Sequence, residues 1–213
     1  MASASSVEDG NHMIEREIKF ELGPTEAVPR LEGAGGIARQ ADPVKSVLEA
    51  TYFDTADLRL IGNAITLRRR TGGGDAGWHL KLPHASGHKE EVAEPLGQPG
   101  EPVPQRLRQR LPDPGVELAP VARITTTRYS HALLDSSGHP LATLVDDQVS
   151  AERTGGEFGK NTWREVEVEL EADTADEVLD AIGDALDRLG VRRSRWPSKL
   201  RRVFGDRLPG GAG

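Results

Sequence analysis

Cysteine is missing from the chain. That excludes a disulfide scaffold, a Cys-ligated zinc or iron–sulfur centre and a thiol nucleophile. Aromatic residues are scarce at 4%, so the core has to rest on Val, Leu, Ile and Ala. No apolar run approaches the roughly 18 residues of a membrane span. Positive charge is also short: 27 Lys+Arg face 34 Asp+Glu, a formal net charge of −7. That balance argues against nucleic acid as a partner. The N-terminus has no basic region and no apolar stretch, so it reads as a disordered leader over 1–12 and not as a signal peptide. There is no His-x-x-x-His or His-Glu-x-x-His spacing for zinc and no Gly-x-Ser-x-Gly elbow. These absences together predict a cytoplasmic protein without a membrane partner. They set no oligomeric state.

What is present suits one domain. The 213 residues can bury a core without disulfide help. The 24 Gly and 14 Pro gather in connectors such as 72–77 and 94–104. The Gly-rich run 72–77 lacks the Gly-Lys-Ser/Thr ending of a phosphate loop and reads as a hairpin turn. Alternating or apolar runs predict strands at 13–22, 44–54, 63–71, 78–82, 88–93, 122–134, 140–149 and 162–170. The best helix is 174–189, with Thr174 and Glu177 as a capping box and Gly190 at its end. Weaker helices are expected at 24–33, 102–111 and 197–206. This is an α+β or barrel pattern, mostly antiparallel, and not alternating βαβ.

Charge is sorted along these strands. Side chains alternate with period 2, so Glu15, Glu17 and Lys19 share one face and Ile14, Arg16, Ile18 and Phe20 the other. Glu165, Glu167 and Glu169 likewise oppose Val166, Val168 and Leu170. Three stacked carboxylates repel unless cations lie between them, and a hard divalent metal is one such cation. A solvated edge strand would look the same. Arg68 and Arg70 share a face, as do His79 and Lys81. His79 itself reads as structural, and Trp163 and Trp196 as core or rim. Arg128, Asp146 and Lys199 add further charges. Arg suits bidentate phosphate contacts and Lys a mobile one. A barrel would bring these faces into one lumen, with its apolar outside covered by helices.

In this order the segments resemble one family. Glu15-x-Glu-x-Lys19 is similar to the ExExK signature of the triphosphate tunnel metalloenzymes, or CYTH-domain proteins. Tyr52-Phe-Asp-Thr55, Leu67-Arg-Arg-Arg70, Trp78-His-Leu-Lys-Leu-Pro83, the Arg128 strand, Leu144-Val-Asp-Asp147, Glu165-Val-Glu-Val-Glu169 and Ser198-Lys-Leu-Arg201 follow suit. The resemblance covers 13–206 and leaves 207–213 as a flexible tail or linker to a further domain, for example a CHAD domain. It implies an eight-stranded, closed antiparallel β-barrel (a tunnel) with a charged lumen, flanked by amphipathic helices. It further implies metal ligands at Glu15, Glu17, Asp146, Glu165, Glu167 and Glu169, and phosphate contacts from Lys19, Arg68, Arg70, Lys81, Arg128 and Lys199. The catalytic set would be Glu15, Glu17, Lys19, Glu165 and Glu167. Where relatives often show Arg-x-Glu, Lys89 and Glu91 stand in.

The activity this implies is Mg2+- or Mn2+-dependent hydrolysis of a triphosphate. Inorganic tripolyphosphate comes first and thiamine triphosphate next. A class IV adenylyl cyclase acting on ATP and a non-catalytic polyphosphate- or nucleotide-binding module are the alternatives.

Overall fold

The structure, a computed structural model, describes residues 12–155, 160–205 and 208. The expected leader therefore lies outside the described residues except for His12, and the expected tail except for Leu208. Leu208 is buried against the core.

Alternation along the chain produces the strands in order. They are β1 (His12–Glu15), β2 (Glu17–Leu22), β3 (Arg39–Gln40), β4 (Val44–Asp54), β5 (Thr66–Thr71), β6 (Gly77–Pro83) and β7 (Lys89–Pro95). Then come β8 (Ala119–Leu134), β9 (Pro140–Arg153), β10 (Asn161–Leu170) and β11 (Arg192–Arg193). Four helices accompany them: α1 (Arg59–Gly62), α2 (Gln105–Gln109), α3 (Asp176–Arg188) and α4 (Lys199–Phe204).

All the strand pairings are antiparallel, in the order β1-β7-β6-β5-β4-β8-β9-β10-β2-β11, with β3 alongside β8. The sheet is curled and barrel-like. It corrects the expected closed ring of eight unbroken strands, because its ten-strand path is open. A single residue, Arg16, separates β1 on β7 from β2 on β10. There the chain leaves the ladder: the Arg16 carbonyl accepts from Leu170 N–H, and its guanidinium donates to the carbonyls of Glu171, Ala172 and Thr174.

The apolar faces point outward and are covered in two places. α3 lays Leu179, Ile182 and Leu186 on Phe20, Leu144, Val166 and Val168. The segment with α2 lays Val103, Leu107 and Leu111 on Leu67, Trp78, Leu80 and Val92. A third cluster has α4 packing Leu200, Val203 and Phe204 against Trp163, Val149 and Ile124. Each fully buried large side chain contributes about 1.5–3 kcal/mol, so these contacts hold the curl.

Several local expectations change. The segment 24–33 is not helical, since Pro29 falls in its middle and Pro24 and Gly33 bound it. Thr174 and Glu177 do not form a capping box. Ala175 is the N-cap, without a side-chain bond, because Arg16 clamps the preceding turn. Gly190 behaves as expected: with φ +75° it lets its own N–H reach Asp187 O and Val191 N–H reach Leu186 O, the paired closure that favours glycine.

Candidate active site in the lumen

The inner face of the sheet encloses a cavity of about 580 Å3. Nine Lys or Arg side chains and six Asp or Glu side chains line it. A chain of net charge −7 thus surrounds this space with a cationic excess. The register explains the lining. Glu167 lies opposite Lys19 and Glu169 opposite Glu17 on β10 and β2. Lys81 lies opposite Glu91 on β6 and β7, and Arg128 opposite Asp147 on β8 and β9.

The carboxylates fall into two groups. Asp147, Glu165 and Glu167 each bring one oxygen within 4.8 Å of the others, a spacing that could hold a metal ion. The ammonium of Lys199, at the first turn of α4, sits 2.7–2.8 Å from all three. Arg128 adds a bidentate pair with Asp147, at 2.8 and 2.7 Å, and Lys19 donates to Glu167 at 2.6 Å. Burial opposes ionisation here, but Lys19, Lys199 and Arg128 hold Glu167 well below the usual carboxylate range. Lys199 and Arg128 hold Asp147 down in the same way. For Glu165 burial wins and raises it, although Lys199 opposes. Trp163 N–H donates to its other oxygen at 2.6 Å.

Glu15, Glu17 and Glu169 form the second group, in which no one cation is shared by all three. Glu15 pairs with Lys81 through one oxygen, while its other oxygen is buried without a hydrogen-bond partner. Glu17 accepts from Lys19 at 2.5 Å and from Lys89 at 2.9 Å. Against the cost of burial these hold it at about 2. Glu169 has no hydrogen-bond or ion-pair partner among the described residues. Burial, then the charges of Glu15 and Glu17, push it up to about 7. The unpartnered Glu15 oxygen and the Glu169 carboxylate are hard oxygens of the kind a divalent cation takes, and with Glu17 beside them these residues could hold one.

The cations differ as well. Arg68 has no carboxylate partner within bonding distance among the described residues. It donates to Tyr52 Oη at 3.3 Å, and its Nε is buried without a partner. Arg70 is paired with Asp75 of the 72–76 turn. His79 reaches Glu91 Oε1 at 2.6 Å through Nδ1 and donates from Nε2 to Asp75 O at 2.9 Å. His79 is buried behind the lumen, as the structural reading expects.

Most predicted site residues converge. Glu15, Glu17, Lys19, Arg68, Arg70, Lys81, Arg128, Glu167, Glu169 and Lys199 line the cavity, with Lys89 and Glu91 beside them. Glu165 lies just behind Lys199. Asp146 is the exception. It pairs with Val166, on the apolar outer face, and Arg164 holds it by two hydrogen bonds of 2.7 and 3.0 Å. Asp147 is the lumenal aspartate, one residue on and opposite in parity. Asp146 shares its parity with Ala142 and Leu144, and that signal was already in the sequence. Tyr52 and Asp75 were missed. Tyr52 belongs to the same segment as Asp54, whose buried carboxylate accepts the N–H groups of Thr55, Leu60 and Ile61 and so fixes α1 at the cavity wall.

The CYTH domain family model matches residues 13–204. Two proteins of Mycobacterium tuberculosis, "Uncharacterized protein MT2285" of strain CDC 1551 and "Uncharacterized protein Rv2226" of strain H37Rv, are each 38% identical over 213 residues. The match takes in 92% of this chain and 41% of each relative, so the chain spans about two-fifths of their length. Among solved structures, a putative adenylate cyclase from Bacillus halodurans superposes with a TM-score of 0.59 at 17% identity, over 91% of this chain and 99% of that one. The adenylyl cyclase-like HpAC1 from Hippeastrum, described as having a dominant triphosphatase activity, gives 0.51 at 19% identity, over 92% and 98%. At these identities the structural likeness establishes the fold. No helix among the described residues is long and apolar enough to cross a membrane.

Proposed function

This chain belongs to the CYTH domain family, and from that premise we propose that its lumen hydrolyses the terminal phosphate of a triphosphate with Mg2+ or Mn2+. Inorganic tripolyphosphate is the first substrate and thiamine triphosphate the second. The observation that carries the reading is the enclosed lumen itself: a cationic excess for phosphate, set against Glu169 and one Glu15 oxygen, which have no hydrogen-bond partner among the described residues.

Lys19, Arg68, Arg70, Lys81, Arg128 and Lys199 bind and orient the phosphates. Arg68 leads, because no carboxylate has to leave it first. Glu15, Glu17 and Glu169 would hold the metal, with Glu165 and Glu167 around the neighbouring Lys199 ammonium. When bound, the metal offsets charge that develops on the phosphate oxygens. Water oxygen attacks the terminal phosphorus. The bridging P–O bond breaks and its electron pair goes to the departing diphosphate. A lumenal carboxylate that is not engaged on the metal takes the water proton. Preorganised cations stabilise the charge spread over the transferring group.

A specific observation supports the adenylyl cyclase alternative. Leu48, Ala50, Ile61 and Ile124 give the same cavity an apolar wall, and Trp196 stands in its lining. Such surfaces suit an organic group on the triphosphate. A polyphosphate-binding role without turnover, in a longer protein, is the third reading. The cytoplasmic location expected from the absent cysteines belongs with these proposals.

Incubation with tripolyphosphate, thiamine triphosphate and ATP under Mg2+ or Mn2+ decides among them. Orthophosphate from tripolyphosphate is expected, and Glu17→Ala abolishes it. Cyclic AMP from ATP selects the cyclase. Tight binding without turnover under either metal selects the binding module.

A further inference from the structure

We infer that Asp75 occupies, on Arg70, the place of a substrate phosphate, and so sets the affinity threshold that an anion must pass to enter the lumen. The inference rests on the triphosphate reading above.

Arg70 is a cation in need of an anion. It is only 4% exposed. Burial and the neighbouring guanidiniums of Arg68 and Arg128 make its charge unfavourable, and Asp75 offsets them. No other ion pair to Arg70 exists among the described residues. The partner is unlike the other carboxylates of the lumen. Asp147, which pairs with Arg128, is fully buried on β9, and Glu15, which pairs with Lys81, is buried on β1. Their strands fix them. Asp75 is 65% exposed in its side chain and sits in the turn between β5 and β6. Gly72 and Gly73, with φ +78° and +74°, shape that turn in a region that favours glycine.

Such a carboxylate can rotate into water at little cost, because its charge is already half solvated. The turn need not follow, since its backbone stays tied where His79 Nε2 donates to Asp75 O. Phosphate binding at Arg70 is therefore an exchange of one anion for another. A ligand with several phosphate groups gains Arg68 and Arg128 in the same step and displaces the carboxylate. A small, weakly held anion does not.

The test is calorimetric titration with inorganic tripolyphosphate and with orthophosphate, in metal-free buffer at fixed ionic strength. It compares the unaltered chain, Asp75→Asn, Arg70→Gln and the double variant. Asp75→Asn is expected to bind both anions more tightly, by about 3- to 10-fold, the scale of a half-exposed ion pair. In the Arg70→Gln background the same change is expected to add nothing. Unchanged or weaker binding by Asp75→Asn overturns the inference. So does an equal gain in the Arg70→Gln background, which would be a general charge effect. Thermal melting of each variant establishes that it folds. A separate assay of the unaltered chain on tripolyphosphate under Mg2+ or Mn2+ keeps the two readings apart. Tighter binding by Asp75→Asn with no hydrolysis in that assay would leave the inference standing and remove the hydrolase reading. Hydrolysis there with no change in binding would do the reverse, and no metal-free binding by any of the four proteins would overturn the inference alone.

Discussion

Two groups of carboxylates share one lumen, partly on the same strand, and are held differently. Asp147, Glu165 and Glu167 surround the Lys199 ammonium, with Arg128 and Lys19 adding charge. Glu15 and Glu17 of the second group take Lys81, Lys19 and Lys89 between them, none of which pairs with Glu169, and Glu169 is pushed up to about 7. Glu167 and Glu169 are two residues apart and point the same way. Their ionisation nevertheless moves in opposite directions, because three cations outweigh burial at Glu167, while at Glu169 burial and the acids around it prevail over Lys81. An acidic residue type does not mark a metal site by itself. The balance of its neighbours does. On the reading proposed above the second group would hold the metal, while the first, whose spacing could also hold one, surrounds the protein's own Lys199 ammonium.

The largest effect expected is on the first group. Lys199→Ala leaves three buried carboxylates without their shared cation, a loss of about 3–5 kcal/mol measurable by urea unfolding. If that place can accept a metal at all, Mn2+ recovers more of the stability of Lys199→Ala than it adds to the unaltered chain. Equal Mn2+ effects on the two proteins would exclude a metal there.

Arg68→Met tests the cation that has no carboxylate. Tripolyphosphate hydrolysis is expected to fall about 10²–10³-fold. Stability should change less than in Lys199→Ala, since Arg68 makes one hydrogen bond, to Tyr52, and feels Glu91 and Glu15 only at longer range. A large fall in melting temperature with little fall in rate would contradict the assignment.

Glu169 offers a pH test of the second group. Its folded value, about 7, lies above its ordinary 4.5. The folded state therefore keeps this proton longer than the unfolded state, so stability is full below about 4.5 and declines as pH rises towards 7. Glu169→Gln is expected to remove that decline and to stabilise the protein at pH 8 by about 1–3 kcal/mol. In the unaltered chain Mg2+ should stabilise more at pH 8 than at pH 5, and this difference should vanish in the variant. Unfolding curves at the two pH values read both effects.

The smallest effect on chemistry belongs to the outer face. Asp146→Asn weakens the pair with Arg164 and costs about 1 kcal/mol in stability. The rate on tripolyphosphate stays within about twofold, because Asp146 does not face the lumen. A rate loss comparable to that of Arg68→Met would restore Asp146 to the site.

Much of the site was legible because strand alternation is local. Glu15, Glu17 and Lys19, or Glu165, Glu167 and Glu169, can be put on one face without knowing what the face looks at. The segment match then named ten lining residues correctly and mistook Asp146 for Asp147. There the parity of Ala142, Leu144 and Asp146 was the better guide, since a strand cannot turn one side chain over without a bulge. Tyr52 lay in a matched segment, but nothing local singled it out as a partner for Arg68, and Asp75 is an aspartate in a glycine-rich turn with no local signal of its own. The seam at Arg16 was hidden for a similar reason, as its partners are carbonyls around residues 171–174.

Residue order settled the class of fold, the charged face of each strand and the inverted character of the barrel, with polar residues inside. Periodicity of 2 is a property of one strand at a time. Pairing between strands was decided elsewhere. Lys19 meets Glu167 across 148 residues and Lys81 meets Glu15 across 66, through register and curl that no single segment encodes. Lys199 reaches three acids because α4 packs onto Trp163 and Val149. The long-range packing, and not the charge count, determines which carboxylates are neutralised and which are left to bind something else.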